Sequence, residues 1–354
     1  MSSRISINLV VFNGEKYIRH CLDSIKNLNY PHDLIELNIW DNNSTDGTKK
    51  IIKDWQLELG ELAFVNSQVI ENSQNIGMWA GQEKLFEISA GKYVVVLSVD
   101  VILDKNFLLE AMGVMEVSAD IGALQAKVYR FDLDQLKGRN LRLGTDVIDT
   151  CGFKIFKSRR IVNIGHGEKD TGQYNTQKEI FGVEGAVPVF RKEAFASLRI
   201  KINPSGAGEI FDHDFFWYAE DLDIAWRMNL FGWKQIYAPR VLAWHDRQTT
   251  KSLSGGFTEF RKSRQQIPLN KRRLEWKNLR FTMIKNEYII NCLKDFFYIA
   301  KRELTMLAYL LIYEPAVLSE VSVVLKNIPK MLKKRNAIMR RAVAAPARMR
   351  EWYE

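Results

Sequence analysis

Short apolar segments alternate with helical spacings along the first hundred residues. Continuous apolar segments of strand length occur at 5–12, 35–40, 62–66 and 92–97. The spacing of apolar residues between them predicts helices at 15–28, 48–55 and 78–89. Strands that alternate with helices through short loops predict an α/β fold with a mainly parallel central sheet flanked by helices.

The pattern changes after about residue 120 to short strand-like segments and glycine-rich loops. The elements predicted here are a strand at 181–190, a short helix at 191–198 and strand-like segments at 233–238 and 241–247. The clearest helix is predicted for 214–231, where Gly232 ends it. From about 265 onward the chain is predicted to be helical to its end.

The charge of the chain is distributed unevenly. Of 354 residues 46% are hydrophobic and 26% charged, which is ordinary for a globular protein. Residues 261–354 carry 21 Lys and Arg against 8 Asp and Glu, and the remainder carries 30 against 34. We therefore divide the chain into a body, 1–265, and a basic helical region, 266–354. Such asymmetry indicates a polyanion or an anionic membrane as a partner of the second region.

Polar residues follow the predicted strands directly, where open α/β sheets bind ligands. They include Asn13, Asp41, Asn75 and Asp100. Two alternatives stay open: Asp41 is equally well interpreted as a plain turn residue, and Asp100 as a loop residue. The chain contains neither a G-x-G-x-x-G nor a P-loop motif, so phosphates of a bound nucleotide would be neutralised by a cation rather than by a glycine-rich loop.

A pair of adjacent carboxylates, Glu220 and Asp221, falls within the predicted helix 214–231 among aromatic residues. Partial burial would raise their pKa values and suit one of them to act as a general base. A solvated helical face is the alternative. His245 is the histidine in an apolar strand context, and a core histidine is its simpler interpretation. Arg227 is expected to pair with the neighbouring acids.

Five segments in order resemble the inverting family 2 glycosyltransferases over about residues 4–247. They are VVFNGEKYIRHCLDSI, IWDNNSTDGT, ENSQNIG, LSVDVIL and FFWYAEDLDIAWRMNLFGWKQIYAPRVLAWH. The segment 152–195 resembles the rhamnosyltransferase-type branch. The resemblance implies a GT-A fold, Rossmann-like, followed by the basic helical extension. It also implies transfer of L-rhamnose or another hexose from a dTDP- or UDP-sugar to a saccharide or lipid-linked saccharide in cell-surface polysaccharide synthesis.

The resemblance further implies roles for individual residues. Those implied to line the nucleotide pocket are Phe12, Asn13, Glu15, Asp41, Asn43, Asn75, Gly77 and Val99. Asp100 and His245 are implied to hold Mg²⁺ or Mn²⁺, Asp221 to be the catalytic base, and Glu220 to orient acceptor or base. Ser98 stands where the family has the first acid of its D-x-D motif, so diphosphate oxygens and water would supply most ligands of the cation.

The basic region, 271–354, interleaves aromatic and aliphatic residues with Lys and Arg. Its interfacial anchors are Trp276, Phe281, Tyr288, Phe296, Phe297 and Tyr298. This composition is typical of helices that lie on an anionic leaflet. We therefore expect a cytoplasmic protein, peripheral on the inner face of the cell membrane, with no nucleic-acid partner. A helical bundle packed on the body and a nucleic-acid-binding tail remain as alternatives, as does a non-catalytic scaffold that binds nucleotide sugars or glycans.

Overall fold

The structure is a computed structural model that describes residues 3–60, 64, 67–135, 146–202, 206–247 and 257–354. The strands among these residues are β1 (Ile5–Val11), β2 (Ile35–Asp41), β3 (Gln68–Glu71), β4 (Tyr93–Ser98), β5 (Val101–Leu103), β6 (Ile121–Arg130), β7 (Ile148–Thr150), β8 (Phe153–Ile155), β9 (Ile161–Asn163), β10 (Lys178–Glu179), β11 (Val189–Arg191) and β12 (Lys234–His245). The α-helices are α1 (Ile18–Lys26), α2 (Thr48–Leu59), α3 (Met78–Ile88), α4 (Phe107–Met115), α5 (Lys192–Ser197), α6 (Glu220–Leu230), α7 (Phe257–Gln266), α8 (Leu269–Asn286), α9 (Ile289–Lys294), α10 (Phe296–Tyr313), α11 (Ser319–Met339) and α12 (Pro346–Arg350).

One large mixed sheet forms the centre of the body. Its order is β10-β12-β6-β11-β4-β1-β2-β3, and β1 runs parallel to both β2 and β4. The residues of β1 are all buried, and β4 is buried up to its last residue, because helices cover both faces of the sheet. The predicted α/β fold with a mainly parallel sheet flanked by helices is confirmed.

The register of the parallel strands places their carboxyl ends at one edge of the sheet. Val11 pairs with Asp41 and Val10 with Ser98, while Asp41 in turn pairs with Glu71. The loops that follow β1, β2, β3 and β4 therefore meet, which is the arrangement in which an open α/β sheet forms a ligand crevice.

One strand prediction falls mostly outside the described residues, and another was only partly confirmed. Most of the segment 62–66 lies outside the described residues, and the strand of this part of the chain is Gln68–Glu71. Within 181–190 only the last residues join a strand, because a turn occupies 185–186. Glycine at position 185 permits close packing there, since a Cβ atom would lie 2.7 Å from the Trp79 ring.

The predicted helix 214–231 begins only at Glu220. The preceding residues include Phe216, Tyr218 and Ala219, whose φ angles of 65°, 74° and 70° belong to the left-handed region. Glu220 and Asp221 consequently open α6 instead of lying in the middle of a helix, and the mid-helix placement was wrong. The aromatic residues have helical spacing, but tertiary contacts hold them in a turn.

Those contacts come from the basic helical region. The Asn278 amide nitrogen on α8 lies 3.2, 2.8 and 2.7 Å from the carbonyl oxygens of Phe215, Trp217 and Tyr218. Lys285 on the same helix is fully buried and pairs with Asp212. α8 therefore packs on the body, and so does α11, because its Lys334 pairs with the same Asp212, as the bundle interpretation expected. The boundary at 265/266 falls at the end of α7 and stays a prediction.

Candidate functional site

The loops after β1 and β2 are joined by side chains that the sequence had assigned to a ligand pocket. The Asn13 side-chain oxygen accepts a hydrogen bond from the Thr45 amide at 2.8 Å, and Glu15 accepts one from the Gly47 amide at 2.9 Å. Asp41 is fully buried and accepts a hydrogen bond from the Ser44 amide at 3.1 Å. These hydrogen bonds hold the loops after β1 and β2 in fixed positions relative to each other.

A third loop, 72–77, lies against the same crevice. The Asn75 side chain accepts a hydrogen bond from the Gly77 amide at 2.9 Å. Asn42 accepts from the Ile76 amide and donates to the Gly77 carbonyl, at 3.1 and 3.0 Å. Gly77 has φ 90°, and a Cβ atom there would lie 2.8 Å from the Phe216 carbonyl oxygen. Only glycine therefore fits between this loop and the turn before α6.

The remaining residues assigned to the nucleotide pocket also lie at this edge. Phe12 follows β1 and is 47% exposed, so its ring is available to a ligand. Asn43 follows β2 with φ 69°, and Val99 follows β4 as a partly buried residue. The eight residues predicted to line the nucleotide pocket thus lie in or beside the loops that follow β1, β2, β3 and β4.

Asp100 and His245 meet across the sheet edge. The Asp100 carboxylate lies 3.4 Å from Nε2 of His245, and Nδ1 of the same ring lies 2.9 Å from buried Asp149. Burial lowers the pKa of His245, but the charges of Asp100 and Asp149 outweigh it and raise the pKa to about 10. The same imidazole keeps the pKa of Asp100 below its usual value despite burial of that carboxyl group.

A further charged network continues from this pair toward α6. The Arg247 guanidinium donates to Asp149 at 2.7 Å and to Glu184 at 2.7 Å. Glu184 begins the turn that also contains Gly185, whose amide donates to Asp221 at 3.2 Å. Asp149 is held ionised, since Arg247 and His245 keep its pKa well below the usual range despite burial. One network thus connects the Asp100–His245 pair with the acids of α6.

The two acids at the start of α6 have raised pKa values. Burial, reinforced by the negative charge of Glu184, raises the pKa of Asp221 to about 7. Burial also raises the pKa of Glu220 to about 8, with further repulsion from Asp221 and Asp223. A carboxyl group with a pKa near neutrality combines a useful ionised fraction with real basicity, as a general base requires. Arg227 pairs with Asp223 at 2.8 Å, as expected from the sequence.

The Asp100–His245 pair fits a divalent cation with few protein ligands. Within the described residues no group of three or more His, Cys, Asp or Glu is arranged to hold a metal ion. Asp149 nevertheless holds Nδ1 and leaves Nε2 directed at Asp100, which is how metal-binding histidines are oriented by a neighbouring carboxylate. Asp100 and His245 form an ion pair here, so His245 would have to release its Nε2 proton for one carboxylate and one imidazole to hold an ion that takes its other ligands from a diphosphate and water.

Three residues of the site were missed by the sequence analysis. They are Asp149, Glu184 and Arg247. Arg247 stands two positions beyond His245, so the period of an extended chain could have placed both on one side. Asp149 lies in β7, for which the sequence predicted no element, and Glu184 lies in the segment 181–190 that was predicted as a strand, so only the tertiary fold brings them here.

Comparisons with known proteins concern the family and the fold of the chain. The model of the family described as glycosyl transferase family 2 matches residues 6–199, more than half of the chain. An uncharacterized glycosyltransferase of Methanocaldococcus jannaschii is 30% identical over 129 residues, 36% of this chain and 42% of the relative. The poly-beta-1,6-N-acetyl-D-glucosamine synthase of Staphylococcus epidermidis is 23% identical over 240 residues, 68% of this chain and 49% of the relative. The chain therefore spans less than half the length of either relative.

A solved structure shares the fold. The crystal structure of GalNAc-T7 with UDP, GalNAc and Mn²⁺ has a TM-score of 0.61 at 12% sequence identity, over 99% of this chain and 56% of that chain. At this identity the likeness concerns the path of the backbone and carries no information about substrates.

Proposed function

Because the chain belongs to glycosyl transferase family 2, we propose that it transfers a hexosyl group, with inversion, from a nucleoside-diphosphate sugar to a hydroxyl group of a saccharide. The observation that carries the proposal is the position of Asp221. It has a raised pKa, opens α6 and faces the network that ends at Asp100 and His245. A base at the start of α6 and a diphosphate site at the nearby strand ends are the two elements that such a transfer requires.

In the proposed reaction the acceptor oxygen forms a bond to the anomeric carbon of the donor. The acceptor O–H bond breaks and its proton passes to Asp221, while the bond between the anomeric carbon and the diphosphate oxygen breaks. The electron pair of that bond leaves with the nucleoside diphosphate. A single displacement inverts the anomeric centre, so no covalent enzyme intermediate is involved. Glu220 orients the acceptor or the base.

We further propose that Mg²⁺ or Mn²⁺ binds with the donor at Asp100 and His245. A divalent cation supplies neutralisation of the charge on the leaving diphosphate. Arg247 supports this arrangement by holding Asp149. Phe12, Asn13, Glu15, Asn43, Asn75, Gly77 and Val99 line the donor crevice in this proposal, with Asp41 next to the nucleoside.

The proposal also names the donor and the acceptor. Resemblance of 152–195 to the rhamnosyltransferase-type branch supports dTDP-L-rhamnose as the donor, with a UDP-hexose second. The acceptor is a glycan or lipid-linked glycan of a cell-surface polysaccharide. Exposed apolar side chains on α9 and α10 support an anionic membrane as the partner of the helical region.

Titration of UDP, dTDP and GDP, each with and without Mn²⁺ or Mg²⁺, tests the nucleotide and metal sites together. We expect one nucleotide to bind in a metal-dependent manner and Asp100→Ala to abolish that dependence. Asp104→Ala is a matched control, because this aspartate follows β5 and caps the turn before α4. Binding that ignores both metal and Asp100 would remove the metal assignment. If a folded chain bound no nucleotide, the alternative of a non-catalytic scaffold would be favoured. Ser98, in place of the first acid of the D-x-D motif, favours the same alternative.

A further inference from the structure

A groove of about 810 Å³ lies between α7 and α10, beside the turn that joins β8 to β9. We refer to it as the α7–α10 groove; its lining includes Arg160, Phe257, Phe260, Lys301, Tyr309 and Ile312. Its volume falls within the roughly 300–1,000 Å³ of pockets that hold small ligands. None of the residues that the proposed transfer uses lines it, so the groove is a separate feature of the molecule.

One end of the α7–α10 groove is aromatic. Tyr309 is buried, and the rings of Phe257 and Phe260 lie 6.1 and 5.4 Å from its ring between centroids. Tyr313 lies 5.3 Å from the same ring. Phe257 is nevertheless 58% exposed, and Ile312, which also lines the groove, is 69% exposed. Because a contiguous cluster of exposed apolar side chains indicates a surface that contacts an apolar partner, this end fits a hydrocarbon chain.

The other end of the groove is cationic. Arg160 immediately precedes β9 on the body, and Lys301 and Arg302 lie in the first two turns of α10. Arg302 pairs with Glu303 at 3.0 Å, whereas Arg160 and Lys301 form no ion pair within the part of the chain that the structure describes. Burial lowers the pKa of Arg302 despite the charge of Glu303, and repulsion from Arg160 adds to the lowering. An anionic group between these side chains would therefore be stabilised by charge-assisted hydrogen bonds.

The two ends are about one acyl chain apart. Lys301 and Tyr313 both belong to α10, and the rise of an α-helix places them about 18 Å apart along its axis. One leaflet of a bilayer has a hydrocarbon depth of about 15 Å, half of the hydrocarbon core. A hydrocarbon chain that starts at the cations and follows α10 would therefore reach the aromatic end.

We propose that the α7–α10 groove binds one phospholipid of an anionic leaflet, with its phosphate between Arg160 and Lys301 and one acyl chain against Phe260 and Ile312. The inference rests on the membrane partner that is part of the proposed function, and it is independent of the transfer reaction. Exposed Phe296 and Phe297 begin the same helix, so the groove continues the apolar surface that supports a membrane partner.

The chemistry of the groove favours a lipid over a peptide. An amphiphile has its charge at one end and its apolar surface at the other, as the groove does. A peptide would bring backbone N–H and C=O groups to the aromatic end, and each of these needs a hydrogen-bond partner. The Tyr309 hydroxyl at that end already donates to Glu314 at 2.9 Å.

Calorimetric titration of the full chain with myristoyl lysophosphatidylglycerol, below its micelle concentration, tests the groove. We expect saturable binding of one lipid per chain and weaker binding of myristoyl lysophosphatidylcholine, which has no net charge. Glycerol 3-phosphate has the phosphate without the chain and is expected not to bind measurably. Binding of glycerol 3-phosphate as tight as that of the lipid would overturn the proposal, because the site would then recognise a free phosphate.

A variant that fills the groove tests the position of the acyl chain. Ala308 is exposed and lines the groove, so Ala308→Trp is expected to lower lipid affinity at least about tenfold, the effect of excluding about two methylene groups. The matched control is Leu307→Trp, because Leu307 is exposed on the same helix but does not line the groove. Equal affinity of the two variants would place the lipid elsewhere.

A second variant tests the phosphate position without adding bulk. Arg160→Gln/Lys301→Gln is expected to weaken binding of the anionic lysophospholipid about thirtyfold, since each near-surface cation contributes a factor of about five. Lys294→Gln, on an exposed site of α9 outside the groove, is the control and should bind as the unmodified chain does. Both substituted positions are exposed, so this variant is expected to fold even where Ala308→Trp does not.

Three further results would overturn the lipid groove. They are no binding of the anionic lysophospholipid, binding only above its micelle concentration, and a dimer that Ala308→Trp dissociates but the lipid does not, which would assign the groove to a second copy of the chain. Vesicle co-sedimentation and nucleotide titration report the membrane partner and the transferase separately. A chain that co-sediments with vesicles but binds no monomeric lipid keeps its membrane partner and loses the groove, whereas one that binds the lipid but no nucleotide keeps the groove and loses the transfer reaction.

Discussion

At the scale of single residues, the ionisation of Asp221 sets the first prediction. A base must be deprotonated, so kcat/KM is expected to rise about tenfold per pH unit below about pH 7 and to level off above it. Asp221→Asn should lower kcat by a factor on the order of 10²–10⁴ and remove this rise. Initial rates of nucleoside-diphosphate release across the pH range measure both effects. A profile that is unchanged in Asp221→Asn would exclude Asp221 as the base.

The same raised pKa has the opposite consequence for stability. Asp221 binds its proton more tightly in the folded chain than in the unfolded chain, so its contribution to the free energy of unfolding falls as pH rises from about 4 through about 7. Asp221→Asn removes a charge that is only partly solvated and is expected to stabilise the chain by about 1–3 kcal/mol at about pH 8, with little change near pH 4. Urea unfolding at the two pH values measures this difference.

Asp223 provides the matched control on the same helix. Burial opposes its ionisation, but Arg227 and Lys285 outweigh burial and lower its pKa. A carboxyl group whose pKa is lower in the folded chain than in the unfolded chain stabilises the fold at pH values above the unfolded-chain pKa. This contribution is lost as the pH falls through the folded-chain pKa. Asp223→Asn is therefore expected to destabilise the chain at about pH 8, opposite in sign to Asp221→Asn. The same sign for both variants would contradict the assigned environments.

How far the sequence could predict the site depends on where each residue comes from. Residues at the end of a strand or directly after it, such as Asp41 and Asp100, could be placed because parallel strands all end at the same edge of the sheet. Arg227 could be paired with an acid because helix spacing fixes its neighbours. Asp149 had no such local signal, because its position relative to His245 depends on how β7 packs beside β6 and β12.

At the scale of secondary-structure elements, the GT-A fold class was predictable and the turn before α6 was not. The parallel strands are continuous apolar segments, which predict buried strands. The helices between them have apolar residues on one face, which predicts helices that pack on the sheet. The residues 214–219 have the same spacing as a helix, yet three of them adopt positive φ. Hydrogen bonds from α8, about sixty residues further along the chain, decide that conformation.

Asn278 is therefore predicted to act as a positioning residue for the base. Asn278→Ala leaves buried carbonyl groups of Phe215 and Tyr218 without this donor and is expected to cost about 2–4 kcal/mol. The released turn should also displace α6, so kcat is expected to fall about tenfold or more while donor KM changes little. Thermal unfolding and steady-state kinetics measure the two effects.

Asn327→Ala is the control for this variant. The Asn327 side chain donates at 2.9 Å to the Val323 carbonyl within its own helix, so its loss should change stability by less than about 1 kcal/mol and leave kcat unaltered. A fall in stability of Asn278→Ala without a fall in kcat would show that the contact is structural only.

At the scale of the whole molecule, the structure divides the positive charge of the helical region into two parts. Lys285 and Lys334 are fully buried and neutralise acids of the body, among them Asp212 and Glu209. Arg350 pairs with Asp295. These cations are structural, so the positive charge that the helical region presents to a membrane is smaller than the sequence indicates. None of the helices in the described part of the chain has both the length and the apolar character to cross a bilayer.

A separate face of this region remains uncovered by the described residues. We name it the apolar ridge, the exposed apolar side chains Ile289, Ile290, Leu293, Phe296, Phe297, Leu304, Leu307, Leu311 and Ile312 of α9 and α10. Lys294 and Lys301 are exposed on the same helices. Aromatic and aliphatic side chains beside lysines are the composition of a helix in the headgroup plane, in which each near-surface cation contributes about 1 kcal/mol.

The last prediction is that the apolar ridge binds anionic bilayers. The full chain is expected to co-sediment with vesicles of phosphatidylglycerol and phosphatidylcholine, and less with phosphatidylcholine alone, because charge adds to apolar insertion. The variant Phe296→Glu/Phe297→Glu should reduce binding at least about tenfold, since two carboxylates would enter the headgroup region. Leu109→Glu, on an exposed site of α4 in the body, is the control and should bind as the unmodified chain does. Equal binding of both variants would show that the apolar ridge does not contact the bilayer. If the unmodified chain did not bind vesicles at all, the membrane would be excluded as a partner of the helical region.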